Sequence, residues 1–134
     1  MRYSKLLPMK IFFLLITLTV ATTGSSHAAW EVAKETSVHT IYIDRETLKR
    51  KGNKRFIWAM YDFHQAQREG YRSVKVLFEV ECKLNRYRLR MFTAFEQSMG
   101  NGEAGSPRSS EIWESATPDS IGTEVVRKLC PPAP

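Results

Sequence analysis

The chain has 134 residues, of which 20 are Lys or Arg and 14 are Asp or Glu, for a formal net charge of +6. Its length allows one domain. Three of the basic residues lie within the first ten positions and no acid does, so the remainder carries 17 basic and 14 acidic side chains. A net charge of +3 on that remainder gives no reason to expect nucleic-acid binding.

The first 28 residues have the three parts of a secretory signal peptide. A basic stretch, MRYSKLLPMK, precedes the apolar run Ile11 to Val20, which is too short to span a bilayer, and small residues follow. Ser26-His27-Ala28 predicts cleavage after Ala28, with Met1 or Met9 as the start. No cysteine lies near this site to carry a lipid anchor. We therefore expect residues 29–134 to be exported to the periplasm or secreted, with no transmembrane segment remaining.

Three strands are predicted in the first half of the exported domain. Trp30 to Lys34 and Val38 to Asp44 are the first two. Phe56 to Phe63 is apolar on both faces, which is typical of a central strand, and Trp58 is expected in the core.

The connection before the third strand is strongly basic. Arg45 to Lys54 is polar, and Gly52-Asn53 marks a turn. Five basic residues surround it, and we call them the basic turn: Lys49, Arg50, Lys51, Lys54 and Arg55. They either solvate one end of the sheet or contact a heparin-like polymer or membrane surface.

After a polar linker, the stretch Tyr71 to Phe95 alternates with period two and predicts a β-hairpin. One face carries the apolar set Val74, Val76, Phe78, Val80, Cys82, Tyr87, Leu89 and Met91. The other face carries Glu79 and Glu81 on the first strand and three arginines on the second. We call these the arginine strip: Arg86, Arg88 and Arg90.

The register of this hairpin depends on its loop. A two-residue loop sets Glu81 opposite Arg86 and Glu79 opposite Arg88. A four-residue loop sets Glu81 opposite Arg88 and Glu79 opposite Arg90. Both place opposite charges across the strands. The residues available for a two-residue turn suit it poorly, so the sequence favours the longer loop.

A Gly/Ser-rich loop follows Phe95 and contains Gly100, Gly102 and Gly105 in a G-x-G-x-x-G pattern. No dinucleotide site is expected, because Ser106-Pro107-Arg108 follows where that fingerprint needs a helix. Glu111 to Ser115 predicts one more short strand, which carries Trp113.

The segment Pro118 to Cys130 predicts an amphipathic helix, with Thr117 or Ser120 as its cap and Pro118 in its first turn. Its apolar stripe comprises Ile121, Val125, Val126 and Leu129. Two cysteines in an exported chain imply one disulfide. The helix would lie on the hairpin face that bears Cys82, and we expect it to fill that face.

This arrangement resembles the surface-adhesin E family over nearly the whole exported domain. The most specific elements are Tyr71-Arg72-Ser73 with Cys82, and Trp113 with Pro118-Asp119-Ser120 and Cys130. The resemblance implies an α+β fold in which one antiparallel sheet of about six strands holds a C-terminal helix on its concave face through a Cys82–Cys130 bridge. It also implies adhesion, since the family includes an adhesin that binds host matrix and serum proteins.

No catalytic constellation is visible in the sequence. His39 and His64 are the only histidines after the predicted cleavage site, and both cysteines are better used in a disulfide. We expect no enzyme, no metal site and no cofactor.

Two functions remain open. The first is a binding module for a macromolecule, either a protein or an anionic matrix polymer, met through the arginine strip and the basic turn. The alternative is a periplasmic accessory or structural protein of the envelope with a protein partner. In that case the arginines only solvate the sheet and pair with glutamates.

Overall fold

The computed structural model describes residues 28–132, so the predicted signal peptide lies outside it apart from Ala28. One antiparallel sheet contains six strands in chain order. They are β1 Trp30–Glu35, β2 His39–Lys51, β3 Lys54–Phe63, β4 Ser73–Glu81, β5 Arg86–Phe95 and β6 Glu114–Ser115, and a single helix, α1, spans Thr123–Leu129 within the described range. The predicted fold class is confirmed.

Strand β2 extends through most of the segment that we predicted as a connection, so that prediction was wrong. The pairing with β3 shifts between Asp44 and Lys49 and leaves a bulge. Within the bulge, the backbone N–H of Trp58 donates to the hydroxyl of Thr47 at 3.0 Å. The Thr47 side chain thus accepts the hydrogen bond that a backbone carbonyl of β2 would accept in regular pairing. Strand β2 therefore continues through polar residues to the turn at its end.

One face of the sheet, which we call the helix face, packs against α1 and forms the core. The buried side chains of this core are Ile41, Ile43, Ile57, Ala59, Tyr61, Val76, Phe78, Val80 and Tyr87 from the sheet and Val125, Val126 and Leu129 from α1. Trp58 was wrongly predicted in the core. It lies half-buried on the opposite face, which we call the outer face, where Lys75 Nζ sits 4.8 Å from its ring centroid.

The central hairpin has a four-residue loop, Cys82 to Asn85, that contains a 3-10 turn and ends on an asparagine with φ of 47°. Glu81 pairs with Arg86 and Glu79 with Arg88. The register that we favoured was therefore wrong, and the one expected for the shorter loop is present. In a two-residue loop, Cys82 and Asn85 would pair as the last residues of the two strands. Here they are instead part of the 3-10 turn and its cap, and Asn85 takes the left-handed conformation that ends this turn.

A second bulge lies at Arg90. Leu77 pairs with Met91 while Phe78 pairs with Leu89, so Arg90 is the extra residue. The alternation inverts beyond it, which leaves Met91 42% exposed on the outer face. Its predicted place on the apolar face was wrong, because period two holds only while every residue is paired.

The helix begins at Thr123, later than predicted. Pro118 and Ser120 precede it in turns, and the hydroxyl of Thr123 donates to the carbonyl of Thr117. Val125, Val126 and Leu129 are buried as predicted, whereas Ile121 lies outside the helix and is 48% exposed. Because the hydroxyl of Thr123 and the nearby backbone groups bond within this turn, they do not support an earlier start of the helix.

A disulfide joins Cys82 to Cys130 across 48 residues, with their Cα atoms 5.4 Å apart, which confirms the predicted bridge. The expectation that the helix fills the apolar face was wrong. Seven residues of helix span about 10 Å, whereas the central strands span about 30 Å. The helix face near Val74 and Phe92 therefore stays uncovered, and a groove lies there.

Candidate functional site

The arginine strip lies on the outer face and is neutralised by glutamates. Glu79, whose side chain is 2% exposed, accepts from Arg88 Nε at 2.7 Å and lies 3.1 Å from Lys54 Nζ and 3.4 Å from Arg90. Arg86 forms its own pair with Glu81 at 2.9 Å. The arginines thus stabilise the sheet by holding two carboxylates in the ladder.

Glu79 is the centre of this network. Burial alone would raise the pKa of its carboxyl, but hydrogen bonds from Arg88 and Lys54 outweigh burial and hold the pKa below its ordinary value. The hydrogen bond to Glu79 likewise raises the pKa of Arg88. Both groups therefore stay charged at neutral pH and form an ion pair with each other.

Trp113 packs over two residues of the arginine strip. Its ring centroid lies 4.4 Å from the guanidinium carbon of Arg86, 4.7 Å from that of Arg88 and 5.6 Å from Lys54 Nζ. Cations at these distances are attracted by the ring face. No pattern in the sequence predicts this contact, which depends on the pairing of the two-residue strand β6 with β5. Trp113 joins the arginine strip to the edge of the basic turn.

Most of the basic turn, unlike the arginine strip, is not neutralised by carboxylates in the described residues. Arg50 lies directly opposite Arg55, and Lys51 opposite Lys54. Lys49, Arg50 and Lys51 are exposed, and none of these three forms an ion pair within residues 28–132. Like charges directly opposite each other destabilise a sheet. The hairpin end therefore carries an uncompensated positive charge.

The five members of the basic turn divide between the two faces. Lys54 belongs to the outer face through Glu79. Arg55 is half-buried on the helix side, where its guanidinium donates to Cys82 Sγ at 3.2 Å. Lys49, Arg50 and Lys51 are the members available to a partner.

His39 and His64 each contact side chains of the sheet. His39 packs 5.7 Å from the ring of Tyr61, and burial followed by the charge of His64 lowers the pKa of its imidazole. His64 Nε2 lies 3.2 Å from the hydroxyl of Thr40. In the part of the chain that the structure describes, no group of three or more His, Cys, Asp or Glu can hold a metal ion. No helix in that part is long and apolar enough to cross a membrane.

The family model of surface-adhesin protein E matches residues 30–131 of this chain. None of the curated proteins matches this sequence significantly.

Solved structures of Haemophilus influenzae protein E are similar in fold. Crystal form II matches with a TM-score of 0.54 at 16% identity, over 73% of this chain and 91% of that one. A second structure matches with a TM-score of 0.52 at 17% identity, over 73% and 87% of the two chains. The selenomethionine form matches with a TM-score of 0.55 at 16% identity, over 73% and 89%.

Proposed function

The chain belongs to the surface-adhesin protein E family, and from that premise we propose that it is an exported, non-enzymatic binding module for an anionic macromolecule. The observation that carries this proposal is the basic turn. Lys49, Arg50 and Lys51 are exposed at the end of the β2–β3 hairpin without an acidic partner in the described residues. An anionic polymer or an acidic protein patch supplies the missing counter-charges.

Comparison with the arginine strip limits the proposed binding site to the basic turn. Arg86 and Arg88 have carboxylate partners and lie beneath Trp113. A partner would have to displace those contacts to use them, whereas Lys49 has no carboxylate partner in residues 28–132 and Lys51 has only a contact of 5.9 Å with the ring of Phe56 there. We therefore place recognition at the turn, with the arginine strip in a supporting structural role.

The unneutralised charge also predicts how binding responds to salt. Exposed charges are screened over about 8 Å at physiological ionic strength. Electrostatic recognition by this surface should speed association and weaken as salt rises.

Export requires removal of the N-terminal segment, which we propose occurs after Ala28. Intact-mass measurement of the protein from the cell envelope should give the mass of residues 29–134. A retained N-terminus, or added acyl chains, would contradict soluble export.

Binding is tested by capture from matrix proteins and from envelope extract. The first variant, Lys49→Glu with Lys51→Glu, reverses charge at the basic turn. The matched control, Arg68→Glu with Lys128→Glu, makes the same change in net charge at exposed positions elsewhere. We expect loss of capture with the first variant alone. Equal capture by both variants would contradict a site at the turn. Capture of an envelope protein but no matrix protein would favour the accessory function.

A further inference from the structure

The uncovered part of the helix face forms a groove of about 750 Å³. This volume lies in the range of about 300–1,000 Å³ that is typical of ligand pockets. Its floor is built by side chains of β3, β4 and β5 that point away from the outer face, among them Phe63, Val74, Val76 and Phe92. The groove is therefore separate from the basic turn.

Two segments form the walls of this groove. Residues 104–108 run beside β5, where Arg108 and Phe92 exchange backbone hydrogen bonds of 2.9 and 2.8 Å. Ile121 stands on the other segment, which the bond from the hydroxyl of Tyr61 to its carbonyl at 2.5 Å holds in place. The exposed Ile121 thus adds an apolar wall instead of facing solvent alone.

The rim of the groove is acidic on a chain with an excess of basic residues. Glu69, Glu96 and Glu103 line it and form no ion pair within the described range 28–132, against one lining cation, Arg108. The guanidinium of Arg108 lies 5.8 Å from the ring of Phe92. The groove thus offers an apolar floor and net negative charge at its edge.

We propose that this groove binds an extended segment of a partner protein in which apolar residues alternate with Lys or Arg. In an extended segment, successive side chains point to opposite sides. One set can enter the floor while the other meets the rim carboxylates. The aromatic ring of Tyr71 also suits a basic side chain. The floor and the rim together select this chemistry.

The probe is a short fluorescein-labelled peptide of alternating lysine and leucine, and the readout is fluorescence anisotropy with the whole exported domain. Peptides of alternating glutamate and leucine, and of lysine and serine, test the charge and the apolar side chains separately. We expect saturable binding of the lysine–leucine peptide alone. Equal binding of either control peptide, or no binding of any, would overturn the proposal.

Variants locate the binding. Ala94→Trp fills the floor and should weaken binding about tenfold or more. Glu96→Gln with Glu103→Gln removes two exposed rim charges and should weaken binding about two- to thirtyfold. Glu35→Gln with Glu46→Gln makes the same charge change at exposed positions outside the groove and should leave binding unchanged.

Further variants and measurements cover two cases: a substitution that prevents folding, and a second copy of the chain that occupies the groove. If Ala94→Trp does not fold, Ile121→Ser removes the apolar wall at an exposed position and should weaken binding. Unchanged affinity in the groove variants would refute the site. A dimer seen by light scattering that a groove variant dissociates would assign the groove to a second copy and overturn the proposal. Lys49→Glu with Lys51→Glu should leave peptide binding intact, which separates this site from the proposed function.

Discussion

Replacing Glu79 by glutamine should lower the free energy of unfolding by about 2–3 kcal/mol. The carboxylate is 2% exposed and has three cationic partners at 2.7 to 3.4 Å. Removing one partner of a buried ion pair costs about 3–5 kcal/mol when the remaining charge stays buried. Here the side chains of Arg88, Arg90 and Lys54 are 19%, 38% and 43% exposed, so water partly compensates them and reduces the cost.

Two other glutamates that pair with members of the arginine strip provide matched controls. Glu81 is 16% exposed and pairs with Arg86, and its replacement by glutamine should lower the free energy of unfolding by about 1 kcal/mol. Glu111 is 68% exposed, and its replacement by glutamine should lower the free energy of unfolding by about 0–0.5 kcal/mol. Denaturant unfolding followed by tryptophan fluorescence measures all three. A loss in Glu79→Gln no larger than that in Glu111→Gln would refute the central place of Glu79.

The same comparison has a predicted pH dependence. Because the folded protein holds the pKa of Glu79 below its ordinary value of 4.5, the stabilisation is fully present above pH 4.5. It is lost as the pH falls through the lower folded-state pKa. The difference in stability between wild type and Glu79→Gln should therefore shrink below pH 4.5, and a constant difference would contradict the ion-pair explanation.

Two further substitutions test the packing of the helix by denaturant unfolding. Cys130→Ser should cost about 4 kcal/mol through loss of a 48-residue cross-link, and a cost under about 1 kcal/mol would contradict the chain-entropy argument. Gly122→Ala should cost about 1–3 kcal/mol, since its Cβ would lie 2.7 Å from ring atoms of Tyr87. In the control Gly105→Ala the nearest atom is 3.7 Å away, so stability should change by about 0.5 kcal/mol or less.

Periodicity in the sequence correctly predicted β4, β5 and three of the four residues of the helix's apolar stripe, and a continuous apolar run predicted β3. It failed where the backbone leaves regular pairing. At Arg90 a single unpaired residue moved Met91 to the outer face, and at residues 45–48 a side-chain hydrogen bond extended a strand through polar residues. The hydrophobic pattern of the sequence does not indicate either bulge, so the two bulges are seen only in the strand pairing of the structure.

The candidate site was predictable in part. Alternation correctly placed the arginine strip opposite glutamates, because opposite charges face each other across antiparallel strands. It could not show that Glu79 is buried among three cations, since Lys54 reaches it from β3. Nor could it place Trp113 over the arginines, since that contact depends on how residues 108–115 pair along β5.

The proposed binding site is tested most directly by titrating the exported domain with heparin, a soluble polyanion, at several salt concentrations. Wild type should bind with an affinity that falls as salt rises, and Lys49→Glu with Lys51→Glu should weaken that affinity about tenfold or more and reduce its salt dependence. Arg68→Glu with Lys128→Glu should have a much smaller effect. Absence of binding by wild type, or equal weakening by the two variants, would contradict recognition at the basic turn.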